Sequence, residues 1–205
     1  MPPPPKHAYV VPAFVTGWLL ALVRLGYRLA TSQLGANPIA TALNQLGLLS
    51  LVLLTATLTC TPLKLMLGWT WPLRVRRTLG LLAFFTALLH FVLYLGADQG
   101  FDLASVITDI LKRPFILVGF LALLLMLPLA WTSSKRAVLR LTFPVWQQLH
   151  RLVYAIGLLA ALHFYLRVKA DHTQPLIYAA LIAAGFIVRI VAWRAKARSR
   201  RPRIA

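Results

Sequence analysis

Six long apolar runs dominate the chain, at approximately Phe14–Ala30, Leu46–Leu67, Thr78–Gly96, Phe115–Trp131, Trp146–Leu166 and Leu176–Trp193. A helix crossing a hydrocarbon core of about 30 Å needs about 20 mostly apolar residues. Each run meets that length, so the pattern predicts an all-α fold, a polytopic membrane bundle of six transmembrane helices. Gly, Pro and Asn mark the connections, as in Gly35-Ala36-Asn37-Pro38, Gly68 to Pro72 and Lys112-Arg113-Pro114. The expected organisation is a Pro-rich tail over 1–13, the six-helix domain over 14–194 and a basic tail over 195–205, with no internal repeat.

Composition agrees with the pattern. Of 205 residues, 60% are hydrophobic and mean hydropathy is +0.75, against roughly 45–50% apolar residues in a soluble domain. Charge adds orientation. There are 22 Lys and Arg against four acids, Asp98, Asp102, Asp109 and Asp171. Alternate connections divide the basic residues unevenly, with 14 on one side (Lys6, Lys64, Arg74, Arg76, Arg77, Lys135, Arg136, Arg140, Arg194, Lys196, Arg198, Arg200, Arg201 and Arg203). The other side has Lys112, Arg113, Arg167 and Lys169, together with all four aspartates. Because cytoplasmic loops carry the Lys and Arg excess, both termini are expected to face the cytoplasm. Basic residues recurring at span ends, and not along one stripe, argue against nucleic acid as a partner and for membrane lipid. The single cysteine, Cys60, excludes an intrachain disulfide and covalent heme attachment. No small-residue cleavage pattern follows the Pro-rich N-terminus, so the first span is expected to stay as an anchor.

Three of five histidines bear on chemistry. His7 and His172 fall in a tail and an outer loop and are expected to be solvated. His90 and His163 lie inside the third and fifth spans, where ionisable groups are costly and usually functional. His90 is 13 residues past Arg77 and His163 is 12 past Arg151, which puts both imidazoles about 18–20 Å from the basic side. These two spans run in the same direction. Two imidazoles at one depth on neighbouring helices could clamp a planar macrocycle through its iron. The competing reading is interhelical glue, each histidine bonded to a backbone carbonyl or serine. Zinc is disfavoured, because no Cys or acid lies at that depth.

His150, 13 residues before His163, lies near the level of Arg76 and Arg77 and cannot share the same site. It reads either as part of a second site, with Arg76 and Arg77, for a second heme, a flavin or a quinone, or as a side chain snorkelling to the interface. Arg24 and Arg28, one helical turn apart on the first span, read either as heme propionate or flavin phosphate contacts, or as Arg28 snorkelling to the outer interface with Arg24 paired to backbone carbonyls. Trp69, Trp71, Trp146, Tyr154 and Trp193 near span ends read as interfacial anchors. No catalytic acid, base or nucleophile constellation is visible, and with no Glu and four outer-loop aspartates there is little to build a hydrolase from.

The order and spacing of several short segments resemble the MsrQ (YedZ) family within the ferric-reductase-like transmembrane group. These are Leu34-Gly35-Ala36-Asn37-Pro38, Thr61-Pro62-Leu63, Arg76-Arg77-Thr78-Leu79-Gly80-Leu81, Leu89-His90, Lys112-Arg113-Pro114-Phe115, Trp146 to Tyr154, Leu162-His163 and Gln174 to Ala179. The resemblance implies heme b held by His90 and His163, with His150 matching a third family histidine. It further implies flavin mononucleotide (FMN), electrons from the quinone pool, and delivery to a periplasmic molybdenum-cofactor subunit, MsrP, that repairs methionine sulfoxide in proteins. The location implied is the bacterial inner membrane, and the chain itself is expected to be an electron-transfer subunit. A second heme is in question, because the third span carries one histidine where the wider group has two. The alternative is the membrane component of a ferric reductase or another heme-based transmembrane electron carrier; such a reductase would need a nicotinamide and flavin domain supplied by a separate protein. Behind both stands a small transporter, which would want acids or amides at the midplane and broken helices.

Overall fold

Asn37 and Pro38 set where the second apolar helix begins: the Asn37 side chain accepts from the Ala40 amide at 3.0 Å, and Pro38 occupies a first-turn position that needs no N–H. In a computed structural model, which describes residues 9–199, this helix (α2) spans Pro38–Leu67 and stops where Gly68 adopts φ +70°. The remaining long helices are α1 (Val10–Ala30), α3 (Trp71–Leu93), α5 (Pro114–Trp131), α8 (Leu152–Arg167) and α9 (Thr173–Ser199). A wide π-helical turn, Tyr94–Asp98, extends α3. Three shorter helices complete the described residues: α4 (Leu103–Lys112), α6 (Lys135–Leu141) and α7 (Phe143–His150), the last continuing into α8. No strand occurs among the described residues, and six segments are long and apolar enough to cross a membrane. The protein is a multi-pass membrane protein.

Two details depart from the sequence reading. The third helix begins at Trp71, two turns earlier than expected, so Arg74, Arg76 and Arg77 stand on a helix and not in a connection. Pro72 in the first turn explains the early start. Between the third and fourth spans the chain forms α4, an amphipathic helix too short to appear as a span, capped by Asp102. The Ser105 hydroxyl and Ala104 amide donate to that carboxylate and hold its pKa below the usual value. The cap is therefore complete above the ordinary carboxylate pKa and is lost as pH falls through the lowered one. Helices α1 and α9 run into the two expected tails; Lys6, His7, Arg200, Arg201 and Arg203 lie outside the described residues.

The tightest pairings are α2 with α3 and α5 with α8, with α9 against α2. Buried leucines of α2 (Leu51, Leu54, Leu58) meet Val75, Leu79 and Leu82 of α3, and Ile156 and Ile182 of the later helices. In lipid, packing and polar contacts must tie helices together, since apolar burial gives little net drive. Such contacts include Trp18 Nε1 donating to Thr86 Oγ1 at 2.8 Å, Ser50 Oγ to the Ala83 carbonyl at 3.0 Å, and Arg189 Nη2 to the Leu58 carbonyl at 2.5 Å.

The last contact has a specific cause. Pro62 sits inside α2 and has no N–H for the carbonyl four residues earlier, which is that of Leu58. Arg189 of α9 supplies the missing donor, while its guanidinium lies 5.4 Å from the Tyr154 ring centre. Arg189→Leu is expected to orphan that carbonyl and lower stability by about 1–3 kcal/mol. A thermal midpoint in detergent, followed by tryptophan fluorescence, checks this; an unchanged midpoint would contradict it.

Candidate functional site

His90 comes from α3 and His163 from α8, and their ring centres lie 6.3 Å apart with planes at 85°. The equal depths expected from residue counting are thus realised as close approach. Each imidazole is held in the same way by the partner helix of its pair. His90 Nδ1 is 2.9 Å from the Leu43 carbonyl of α2, and His163 Nδ1 is 2.6 Å from the Phe115 carbonyl of α5. A carbonyl can only accept, so both rings are assigned as the Nδ1–H tautomer, which leaves the Nε2 lone pair as the donor. No described hydrogen bond ends on either Nε2.

Both carbonyls lie one turn before a glycine, Leu43 before Gly47 and Phe115 before Gly119. A Cβ on Gly47 would stand 3.4 Å from His90 Cε1, and one on Gly119 would stand 2.6 Å from His163 Nδ1. The missing side chains let each imidazole reach a carbonyl already engaged in its helix. The two helix pairs therefore share a local geometry that the sequence, read as lacking repeats, does not advertise. The signal available there was a glycine inside each apolar helix, which costs roughly 1 kcal/mol relative to alanine and calls for a reason.

Both rings line a cavity of ≈ 390 Å³ whose walls come from α2, α3, α5 and α8. Its walls are mainly apolar, among them Leu51, Leu54, Phe91, Phe120, Met126 and Ile156. Polar groups gather towards one end, where Tyr94, Asp98, Arg113 and Arg167 line it. The Tyr94 hydroxyl donates to Asp109 at 3.1 Å, and Arg113 Nε pairs with the other Asp109 oxygen at 3.1 Å.

A heme fits these residues. Two metal–imidazole bonds of about 2.0 Å, plus about 1.2 Å from each nitrogen to its ring centre, span about 6.4 Å, and the two ring centres are separated by nearly that distance. The donor set is two neutral imidazoles with fixed tautomers, the walls are mainly apolar, and the glycines leave room for each ring against the neighbouring helix. The carbonyl bonds expected of interhelical glue are present, but they occupy one nitrogen of each ring, and glue alone does not require the rings to share a cavity. Among the described residues no group of three His, Cys, Asp or Glu could hold a bare metal ion.

The other candidates lie elsewhere. His150 does not line the cavity; its ring stacks on Trp146 with centres 4.1 Å apart, and its Nε2 is 3.1 Å from Thr132 Oγ1. Thr132 spends its proton on the Pro128 carbonyl at 2.6 Å, so it accepts from His150 and leaves Nδ1 as the free lone pair. Arg76 is exposed and donates to Thr61 Oγ1 at 3.3 Å, and Arg77 is exposed. Arg24 is exposed, Arg28 bonds the Gln33 carbonyl at 3.2 Å, and neither lines the cavity. His172 is not the freely solvated side chain expected of a loop. It stacks on Tyr165 with its Nδ1 buried and unpartnered, because the short connection folds it back onto α8. Arg113 and Arg167, assigned by sequence only to the outer side, are the cations that line the cavity.

Residues 41–161 match the family described as ferric reductase like transmembrane component. The chain is similar to proteins named protein-methionine-sulfoxide reductase heme-binding subunit MsrQ. That of Deinococcus radiodurans is 47% identical over 199 residues, covering 97% of this chain and 96% of the relative. Those of Rhodospirillum rubrum and Ralstonia nicotianae are 48% and 46% identical, covering 84% and 91% of this chain and 83% and 88% of theirs. No solved structure matches the chain. With nearly the whole length aligned at such identity, and the family match running from α2 into α8, the chain belongs to the ferric-reductase-like transmembrane family and, within it, to the MsrQ subunits.

Proposed function

We propose that this chain is the b-type heme electron-transfer subunit of a protein-methionine-sulfoxide reductase, taking electrons from the quinone pool and passing them to a periplasmic molybdenum-cofactor partner of the MsrP type. The observation that carries it is the facing pair His90 and His163, each with Nδ1 fixed on a carbonyl and Nε2 uncommitted, across an apolar cavity. When bound there, heme b would supply a one-electron couple in which no bond at the iron need break. The residues' part is to hold two strong neutral ligands at a fixed separation, which keeps rearrangement between oxidation states small, and to exclude water with the Leu, Phe and Ile walls.

Orientation follows from charge. With the Arg76 end of the bundle in the cytoplasm, the cavity's polar end, at Tyr94, Arg113 and Arg167, faces the periplasm, where the partner would dock. In a bacterium this membrane is the inner one. A second site for FMN or quinone, or for a second heme, belongs to the same proposal at His150, Arg76 and Arg77. The support is that all four aspartates lie in the opposite connections, leaving the basic end without a carboxylate to compete for an anionic phosphate. His150→Ala is expected to lower FMN per protein while the reduced heme spectrum stays; unchanged FMN and heme content would leave His150 as the packed partner of Thr132 and Trp146.

The overall proposal is tested by mixing a quinol, the purified chain and the purified periplasmic partner. Electrons should reach the partner and drive methionine-sulfoxide reduction only when this chain is present. Equal reduction of the partner without it would overturn the assignment.

A further inference from the structure

Arg167 is the last residue of α8, one turn beyond His163 and therefore on the same helix face, about 6 Å further along the axis. It is half-buried and lines the cavity, and neither a hydrogen bond nor an ion pair engages it among the described residues. Guanidinium cannot escape this situation by losing its proton, so a half-buried, unpaired arginine calls for an anion. The nearby carboxylates are spoken for in part: Asp109 takes Arg113 Nε, the Tyr94 hydroxyl and Gln99, and Asp98 takes Gln99. Arg113 engages Asp109 through Nε alone, on a side chain that is 55% exposed, so its terminal nitrogens stay available at the same end. Arg24 and Arg28, the arginines that sequence offered for this task, do not line the cavity.

We infer that Arg167, assisted by Arg113, binds the carboxylate side chains of the tetrapyrrole held in this cavity, and so fixes which edge of the ring faces the aspartate-bearing end. This rests on the heme reading above. A planar guanidinium matches a carboxylate through two parallel N–H donors, a geometry that lysine cannot reproduce. Lipid phosphate is the other source of a suitable anion at the bundle's edge, and the test separates the two.

The test loads the full-length chain, produced in heme-depleted cells, with protoheme or with its dimethyl ester, which lacks both carboxylates. Transfer to an excess of a soluble heme scavenger is then timed. Arg167→Leu is expected to speed protoheme loss roughly tenfold, a charged hydrogen bond's worth of affinity, with Arg167→Lys intermediate. It should leave loss of the dimethyl ester unchanged. The midpoint potential of the protoheme form should also fall in Arg167→Leu, because a cation that stabilises the added electron is gone. Equal acceleration with both pigments would mean that Arg167 serves only packing, and would overturn the inference. So would unchanged rates with both, including the case where the variant merely loses retention on phosphatidylglycerol vesicles, which would assign Arg167 to lipid. If no variant and no wild-type chain takes up either pigment, the heme reading itself fails, an outcome distinct from these.

Discussion

Purified protein from heme-replete cells should show a sharp dithionite-reduced α band, and His90→Ala or His163→Ala should each reduce it to near zero. The size of the effect follows from the donor set. The cavity offers two imidazoles and no thiolate, thioether or third histidine among its lining residues except the buried Met126 sulfur. Loss of one ring leaves a single strong ligand and an enlarged void. Each alanine also removes one helix-to-helix hydrogen bond, to Leu43 or Phe115, so folding must be followed separately. Size-exclusion profiles and the thermal midpoint serve for that. Added imidazole, small enough to fill the void, should restore part of the band in a folded variant. A colourless wild-type preparation would sink the cofactor reading, and full spectra in both variants would sink the ligand assignment alone.

Gly119→Ala should damage the site far more than Gly47→Ala, although the two glycines play the same part on their helices. At position 119 the new methyl would sit 2.6 Å from His163 Nδ1 and 2.8 Å from Cε1, well inside contact distance. The imidazole cannot yield without leaving the Phe115 carbonyl, and overpacking of this kind costs about 1–3 kcal/mol. That outweighs the roughly 1 kcal/mol that alanine gains over glycine in a helix. At position 47 the closest approaches are 3.4 and 3.5 Å to His90, near ordinary contact, so the helical gain and the crowding nearly cancel. Heme per protein and the α-band position are the readouts. Gly119→Ala should lose most of its heme or shift its band, while Gly47→Ala should stay close to wild type; matching behaviour of the two would refute the graded geometry.

Much of the site was legible because membrane insertion makes sequence unusually informative. Hydrocarbon thickness fixes span length, basic residues mark span ends, and a rise of 1.5 Å per residue turns those marks into a depth scale. That scale paired His90 with His163, which stand together in the structure. It could not say which helices back them. The choice of Leu43 and Phe115 as carbonyl partners depends on how α2 meets α3 and how α5 meets α8.

Arg24 and Arg28 show the limit from the other side. Their spacing defines a shared face of α1, but a face acquires meaning only from what packs against it, and α1 contributes nothing to the cavity lining. Arg167 and Arg113 carried no sequence signal beyond their side of the membrane, since their relevance arises where the end of α8 meets the start of α5. The start of α3 was misplaced for a related reason: charged residues signalled a connection, whereas the helix continues through them with its backbone bonds satisfied internally.

The sequence by itself determined the number of spans, the uneven division of charge between their ends and the pair of imidazoles inside them, because each is a property of composition along one helix axis. Only the tertiary structure decided the tautomer of those imidazoles, the glycines that admit them and the arginines beside them. Those depend on rotation and lateral packing of helices, which in lipid are set by close fit between side chains and not by burial of apolar surface.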